Sequence, residues 1–179
     1  MYDAFNEAGS VEPYRTLPEY AMPKLPCDLR QMIDKLCLKG DQFAQIDQHD
    51  DALDQYEAAW DLLPAPKEQW PAATWILMAV GDIYFEKRDF LAASDALRES
   101  RKCPDGEANP FILLRLGQCL FEIGDLDSAA DALEAAYHKG ESELFADEDP
   151  KYLEFVKTQI GIMQVRSTAQ STRFNKPLQ

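Results

Sequence analysis

The best catalytic candidate in the sequence is the run His49-Asp50-Asp51, an imidazole followed by two carboxylates. General acid–base chemistry needs such groups converged on a nucleophile, a second base or a metal. The chain offers no P-loop, no glycine-rich dinucleotide turn, no H-E-x-x-H and no G-x-S-x-G to complete the set. Acidic residues at a helix start are favoured by the helix dipole, so the run reads as structure. The four cysteines, Cys27, Cys37, Cys103 and Cys119, stand 10, 66 and 16 residues apart, with no C-x-x-C pair. Neither histidine, His49 or His138, has a neighbouring cysteine. That spacing makes no zinc site, and neither a metal nor a cofactor is expected. A chain with a real core needs no disulfide framework, so the thiols read as free and the compartment as a reducing cytoplasm. Cys37 and Cys119 fall inside helical patterns and read as small core or groove residues rather than nucleophiles. The expectation is a protein that is not an enzyme.

If there is no chemistry to position, the elements must serve binding. The chain has 179 residues with 18 Lys+Arg against 32 Asp+Glu, a net charge of -14, and 46% hydrophobic residues. It can bury the core of one domain. Nucleic-acid binding requires clustered cations to displace counterions from phosphates, so this balance excludes that class and disfavours an anionic membrane surface. A charged partner would be basic. The opening residues Met1-Tyr2-Asp3-Ala4-Phe5 lack the basic and apolar regions of a secretory signal. The longest apolar stretch, Trp75 to Val80, is far short of the roughly 20 residues that span a bilayer.

Self-similarity organises the chain. Three segments superpose on Gly40, Gly81 and Gly117, and in each an alanine follows 12 residues later (Ala52, Ala93, Ala129) and a large apolar residue 16 later (Tyr56, Leu97, Leu133). Leu36/Phe43, Leu77/Tyr84 and Leu113/Leu120 recur at helical spacing around the glycines and are expected to fill the layer between paired helices. Asp89, and Asp125 or Asp127, are candidate caps for the second helices. The glycines are 41 and 36 residues apart, the excess lying in Pro64-Ala65-Pro66-Lys67 and Pro104-Asp105-Gly106-Glu107. Proline and glycine clusters of that kind separate helical units.

This pattern resembles the tetratricopeptide repeat (TPR), a helix–turn–helix of about 34 residues. The resemblance implies an all-α, right-handed superhelix of three repeats, at about 33–66, 74–107 and 110–141, closed by a capping helix at about 149–165. The TPR domain so defined spans 28–165. Residues 1–27 form an extended proline-rich segment, with Pro13, Pro18, Pro23 and Pro26 interleaved with Tyr14, Leu17, Tyr20, Met22 and Leu25; residues 166–179 form a flexible tail.

In TPR proteins the first helix of each repeat lines a concave groove. The resemblance therefore implies groove positions 3 before and 1, 4 and 5 after each glycine. In the first copy these are Cys37, Asp41, Ala44 and Gln45. The second copy gives Met78, Asp82, Phe85 and Glu86, with Trp75 one turn earlier. The third gives Leu114, Gln118, Phe121 and Glu122, with Phe111 one turn earlier. The Lys, Asn and Arg of carboxylate-clamp TPR domains are absent from these places, which contradicts a clamp. An apolar surface ringed by acids, offering aromatic and Met anchors, suits a segment of a protein partner. The N-terminal segment has three alternative positions: along this groove, back over the first repeat, or in a second copy as a homodimer.

Three functional classes follow. The first is a chaperone or adaptor; in size, charge and repeat number the chain resembles class II chaperones of bacterial type III secretion, from whose helical N-terminus its proline-rich one departs. The second is an immunity-type inhibitor that masks a basic toxin. The third is a scaffold subunit of a larger assembly.

Overall fold

The computed structural model describes residues 24–140 and 142–161. Six helices pair as three hairpins: α1 (Cys27–Ala44) with α2 (His49–Asp61), α3 (Pro71–Glu86) with α4 (Phe90–Lys102), and α5 (Pro110–Ile123) with α6 (Leu126–Gly140). A further helix, α7, occupies residues 150–161. Single 3-10 turns at Lys67–Gln69 and Glu143–Phe145 complete the set, with no strand among the described residues. Within each hairpin the two helices pack on one another; α2 against α3 and α4 against α5 then stack the hairpins. Contacts of α1 with α3 and of α3 with α5 set the first helices side by side along one face of an all-α superhelix.

Local chemistry fixes where these helices begin and turn. Asp89 Oδ1 accepts from the Ala92 amide at 3.2 Å, and Asn109 Oδ1 from the amides of Phe111 and Ile112 at 3.0 and 3.2 Å. Of the two aspartates open for the third copy, Asp125 is the one that accepts, from Ser128 at 3.3 Å. Each supplies an oxygen to first-turn N–H groups that the helix leaves unpaired. Pro71 and Pro110 open α3 and α5, where a missing N–H costs nothing. In all three hairpin turns the residue seven after the repeat glycine takes a left-handed conformation: Asp47 at φ 57°, Arg88 at 61° and Gly124 at 93°. Only the third copy uses the residue that adopts this conformation without strain.

The glycine offsets have a direct steric meaning. A Cβ placed on Gly40 would lie 2.6 Å from Tyr56, one on Gly81 2.6 Å from Leu97, and one on Gly117 2.6 Å from Leu133. The residue 16 positions on therefore packs into the notch its own glycine leaves. Ala52, Ala93 and Ala129 are completely buried beside it. The layer around this contact differs from the expected pairs. Leu113 and Leu120 are buried, but Leu36, Phe43, Leu77 and Tyr84 are only half-buried, and Ile33, Ile76 and Ile83 take the deep positions in the first two copies.

Two boundaries differ from the sequence-based expectation. The first repeat begins at Cys27 rather than near 33, and the second at Pro71 rather than near 74. Counting outward from a mid-helix glycine underestimates helices that start directly at or after a proline. The proline-rich segment up to residue 23 and the tail 166–179 lie outside the described residues, as does the capping helix beyond residue 161.

A Cβ on Gly106 would fall far inside van der Waals contact distance of the Ser100 carbonyl oxygen, which is backbone and cannot rotate away. Ser100 is itself held there, donating to the Thr74 carbonyl at 2.9 Å, while Thr74 donates to the Pro104 carbonyl at 2.6 Å. Gly106→Ala is expected to lower the unfolding free energy by more than about 2 kcal/mol through overpacking. Gly124→Ala, with open space around it, should cost only about 1 kcal/mol for the left-handed backbone. Urea unfolding followed by circular dichroism ranks the two; equal losses would refute the steric account.

Candidate binding site

The groove positions divide into an open part and a covered part. A cleft of about 520 Å³ opens between the first and second hairpins and reaches the start of α5. Asp41, Ala44 and Tyr56 line it from the first hairpin, Trp75, Met78, Ala79, Asp82 and Ile83 from α3, and Asn109 and Phe111 from the head of α5. A second depression of about 300 Å³ shares Asp41 and Trp75 and continues along α1 past Asp34, Cys37 and Leu38. Trp75 is 50% exposed, a large indole left facing solvent. Tyr56 donates to Asp41 at 2.7 Å, so the carboxylate is fixed at the rim.

Beyond Phe111 the third copy adds nothing to this surface. Leu114 and Gln118 are 1% and 0% exposed and cannot meet a partner in this conformation, which corrects their expected place in the groove. Every residue of α5 from Ile112 to Leu120 is buried. Helices α4 and α6 bury one side of it, and the chain's own 142–161 segment covers the groove side. Glu148 Oε2 accepts from Gln118 at 2.8 Å and from Arg115 at 3.2 Å. Phe121 packs edge-on against Tyr152 and Phe155, at ring distances of 5.6 and 5.1 Å. Glu122 takes hydrogen bonds from Tyr152 and Lys151, each at 2.7 Å. Burial raises the Glu122 pKa, but these donors outweigh it and hold the carboxyl below its ordinary range.

Arg115 organises this region. Its Nε lies 2.8 Å from Asp82 Oδ1, meeting it as an ion pair off the N–H axis, while Nη1 donates to Gln118 at 3.0 Å and to Glu148. The guanidinium stands over the ring of Phe85 at 4.3 Å and that of Phe111 at 5.2 Å. Phe85 is thus held from behind by Phe90, 5.5 Å away, and by a cation in front. Burial pushes the Asp82 carboxyl above its usual range, against the pull of Arg115 and with further upward pressure from Glu86 and Glu148.

Among the other expected positions, Cys37 is buried, while Gln45 and Glu86 are exposed but line neither depression. The Cys37 thiol is pushed up to about 11 by burial and by Asp41 and Asp34. Burial pushes Cys119 up to about 12. Both are therefore protonated, weak nucleophiles. His49, Asp50 and Asp51 sit in the first turn of α2, where Asp50 pairs with Lys87 of the neighbouring hairpin's turn. Sequence reasoning missed Tyr56, Ala79, Ile83 and Asn109 as cleft walls, and Arg115 altogether. The signal for Arg115 was available: it is the single charge in the apolar run Phe111–Gly117, and a lone charge in such a run must be paired inside.

No protein-family model matches the chain, and no curated protein matches it. In structure it is similar to the crystal structure of the Sgt2 TPR domain from Aspergillus fumigatus, at 18% identity and a TM-score of 0.54, over 89% of this chain and 90% of that one. The fold is that of an all-α TPR superhelix. Among the described residues no helix is long and apolar enough to cross a membrane. No group of three or more His, Cys, Asp or Glu residues placed to hold a metal occurs among them either.

Replacing Arg115 by leucine leaves Asp82 and Glu148 facing each other without their cation. Arg115→Leu is expected to cost about 3 kcal/mol at pH 7. Without the guanidinium the Asp82 carboxyl, already above its usual range, loses the one charge that pulls it down and rises further, so the folded variant binds that proton more tightly. The deficit relative to wild type should then shrink as pH falls from about 7 to 5. Urea midpoints at the two pH values measure this, and a deficit independent of pH would exclude the ion-pair explanation.

Proposed function

We propose that the protein is a non-catalytic, protein-binding module that acts as a chaperone or adaptor. It holds an extended segment of a partner in the cleft between its first two hairpins. The observation that carries this reading is the exposed Trp75 beside Met78 and Phe111, at the floor of a concave cleft whose rim is Asp34, Asp41 and Asp82. Aromatic and Met side chains anchor apolar residues, and Met adapts to varied shapes. The carboxylates select a segment that carries Lys or Arg between its apolar residues. Site and fold support this without naming the client; the likeness to type III secretion chaperones rests on size, charge and repeat number alone.

The net charge of -14 favours one second reading, an immunity-type inhibitor steered onto a basic toxin. Such an inhibitor would need the folded partner and a broad acidic face rather than the cleft. A scaffold role in a larger assembly would use the same surfaces with permanent partners.

Labelled peptides alternating Leu or Tyr with Lys, and matched peptides with Glu in place of Lys, separate the readings. The Lys series should bind with a Kd in the micromolar range and the Glu series at least about tenfold more weakly. Trp75→Ala with Met78→Ala should weaken the Lys series by about 30-fold or more while helicity stays near wild type. Binding that survives in the folded double variant would move the site off the cleft. Failure of every peptide, with tight salt-sensitive capture of a folded basic protein, would favour the inhibitor.

A further inference from the structure

The cleft is acidic and apolar, and one part of this chain has the complementary composition. Residues 162–179 contain Arg166, Arg173 and Lys176 and no acidic residue at all, in a protein of net charge -14. Phe174 stands between Arg173 and Lys176, an aromatic anchor flanked by two cations. Residues 1–23 carry the opposite balance, four acids (Asp3, Glu7, Glu12, Glu19) against Arg15. Of the two segments outside the described residues, only the C-terminal one matches a rim of Asp34, Asp41 and Asp82.

Geometry allows the match. The 142–161 segment already covers the third copy's share of the groove, through Glu148 on Arg115 and Tyr152 and Phe155 on Phe121. Asp82, on the wall of the open cleft, pairs with the same Arg115 that Glu148 holds, so the covered and open parts adjoin. Neighbouring helix axes lie about 8–10 Å apart. The 18 residues after Gly161 can reach about 60 Å when extended. The cleft is therefore within range of the segment in the same molecule.

We propose that residues 166–179 dock in this molecule's own cleft, placing Phe174 against Trp75, Met78 and Phe111 and Arg173 and Lys176 against the rim aspartates. The inference rests on the cleft being a binding site, as in the proposed function, and adds its regulation: a tethered, self-derived occupant that a partner segment must displace. Tethering through a short linker gives an effective concentration in the millimolar range, so even a weak intramolecular contact competes. Charge complementarity makes the contact salt-sensitive.

The test uses the full chain and a full-length variant carrying Arg173→Glu, Phe174→Ser and Lys176→Glu. The indole N–H resonance of Trp75, assigned with Trp75→Phe, reports the cleft. It is expected to shift between the two proteins at equal helicity, and a synthetic peptide of residues 166–179 added to the variant should restore the wild-type position. That peptide should bind the variant at least about tenfold more tightly than it binds the wild-type chain, whose cleft is occupied. An indole resonance identical in the two proteins would overturn the proposal. So would a difference that appears only as protein concentration rises, since that places the segment in a second copy. If the Lys-bearing external peptides fail to bind the variant while the indole still shifts, the partner-holding function fails and the self-docking stands. Binding of those peptides with an unmoved indole upholds the partner-holding function and removes the self-docking.

Discussion

A guanidinium taken out of water must be paired, and Arg115, 7% exposed in the middle of α5, imposes that requirement on three parts of the chain at once. Asp82 answers from the second hairpin, Gln118 from the same helix, and Glu148 from the loop that follows the third hairpin. Phe85 and Phe111 supply the faces that a desolvated cation also favours. Removing Asp82 or Glu148 takes away one of the two carboxylates that balance this charge. The relative placement of hairpin two, hairpin three and the C-terminal segment is thus constrained by a single side chain.

That constraint gives the repeat its asymmetry. Equivalent positions in the three copies are occupied by Cys37, Met78 and Leu114, then by Asp41, Asp82 and Gln118, and then by Ala44, Phe85 and Phe121. A face built from repeats would present all of these alike. Here the first two copies leave Trp75, Met78 and the aspartates open, while the third is closed over by Glu148, Tyr152 and Phe155. A solenoid's last unit has no successor to bury its apolar flank, and the 142–161 segment performs that burial from within the chain. The binding surface is correspondingly shorter than the repeat number suggests, and it sits toward the first hairpin.

The acidic excess has two separable roles. Some carboxylates are structural: Asp89 and Asp125 cap helices, and Asp50 pairs with Lys87 across two hairpin turns. Others, Asp34 and Asp41 among them, line the cleft and set the sign of what it attracts. Sequence composition adds these together into one net charge, and only position separates capping from recognition.

The linear sequence determined the helices, their pairing and the notch at each repeat. Gly81 and Leu97 are 16 residues apart in one hairpin, so the contact between them follows from local periodicity and a short turn. Caps and prolines are local in the same sense, which is why the fold was legible and only its boundaries moved. Tertiary structure alone decided which of the equivalent groove positions face solvent. Leu114 and Gln118 have the spacing of groove residues, and what buries them is Glu148 and its neighbours, some 30 residues away on a segment with no repeat signature. Periodicity assigns a residue to a helix face; coverage of that face depends on what the rest of the chain stacks against it, and here a buried cation made that choice.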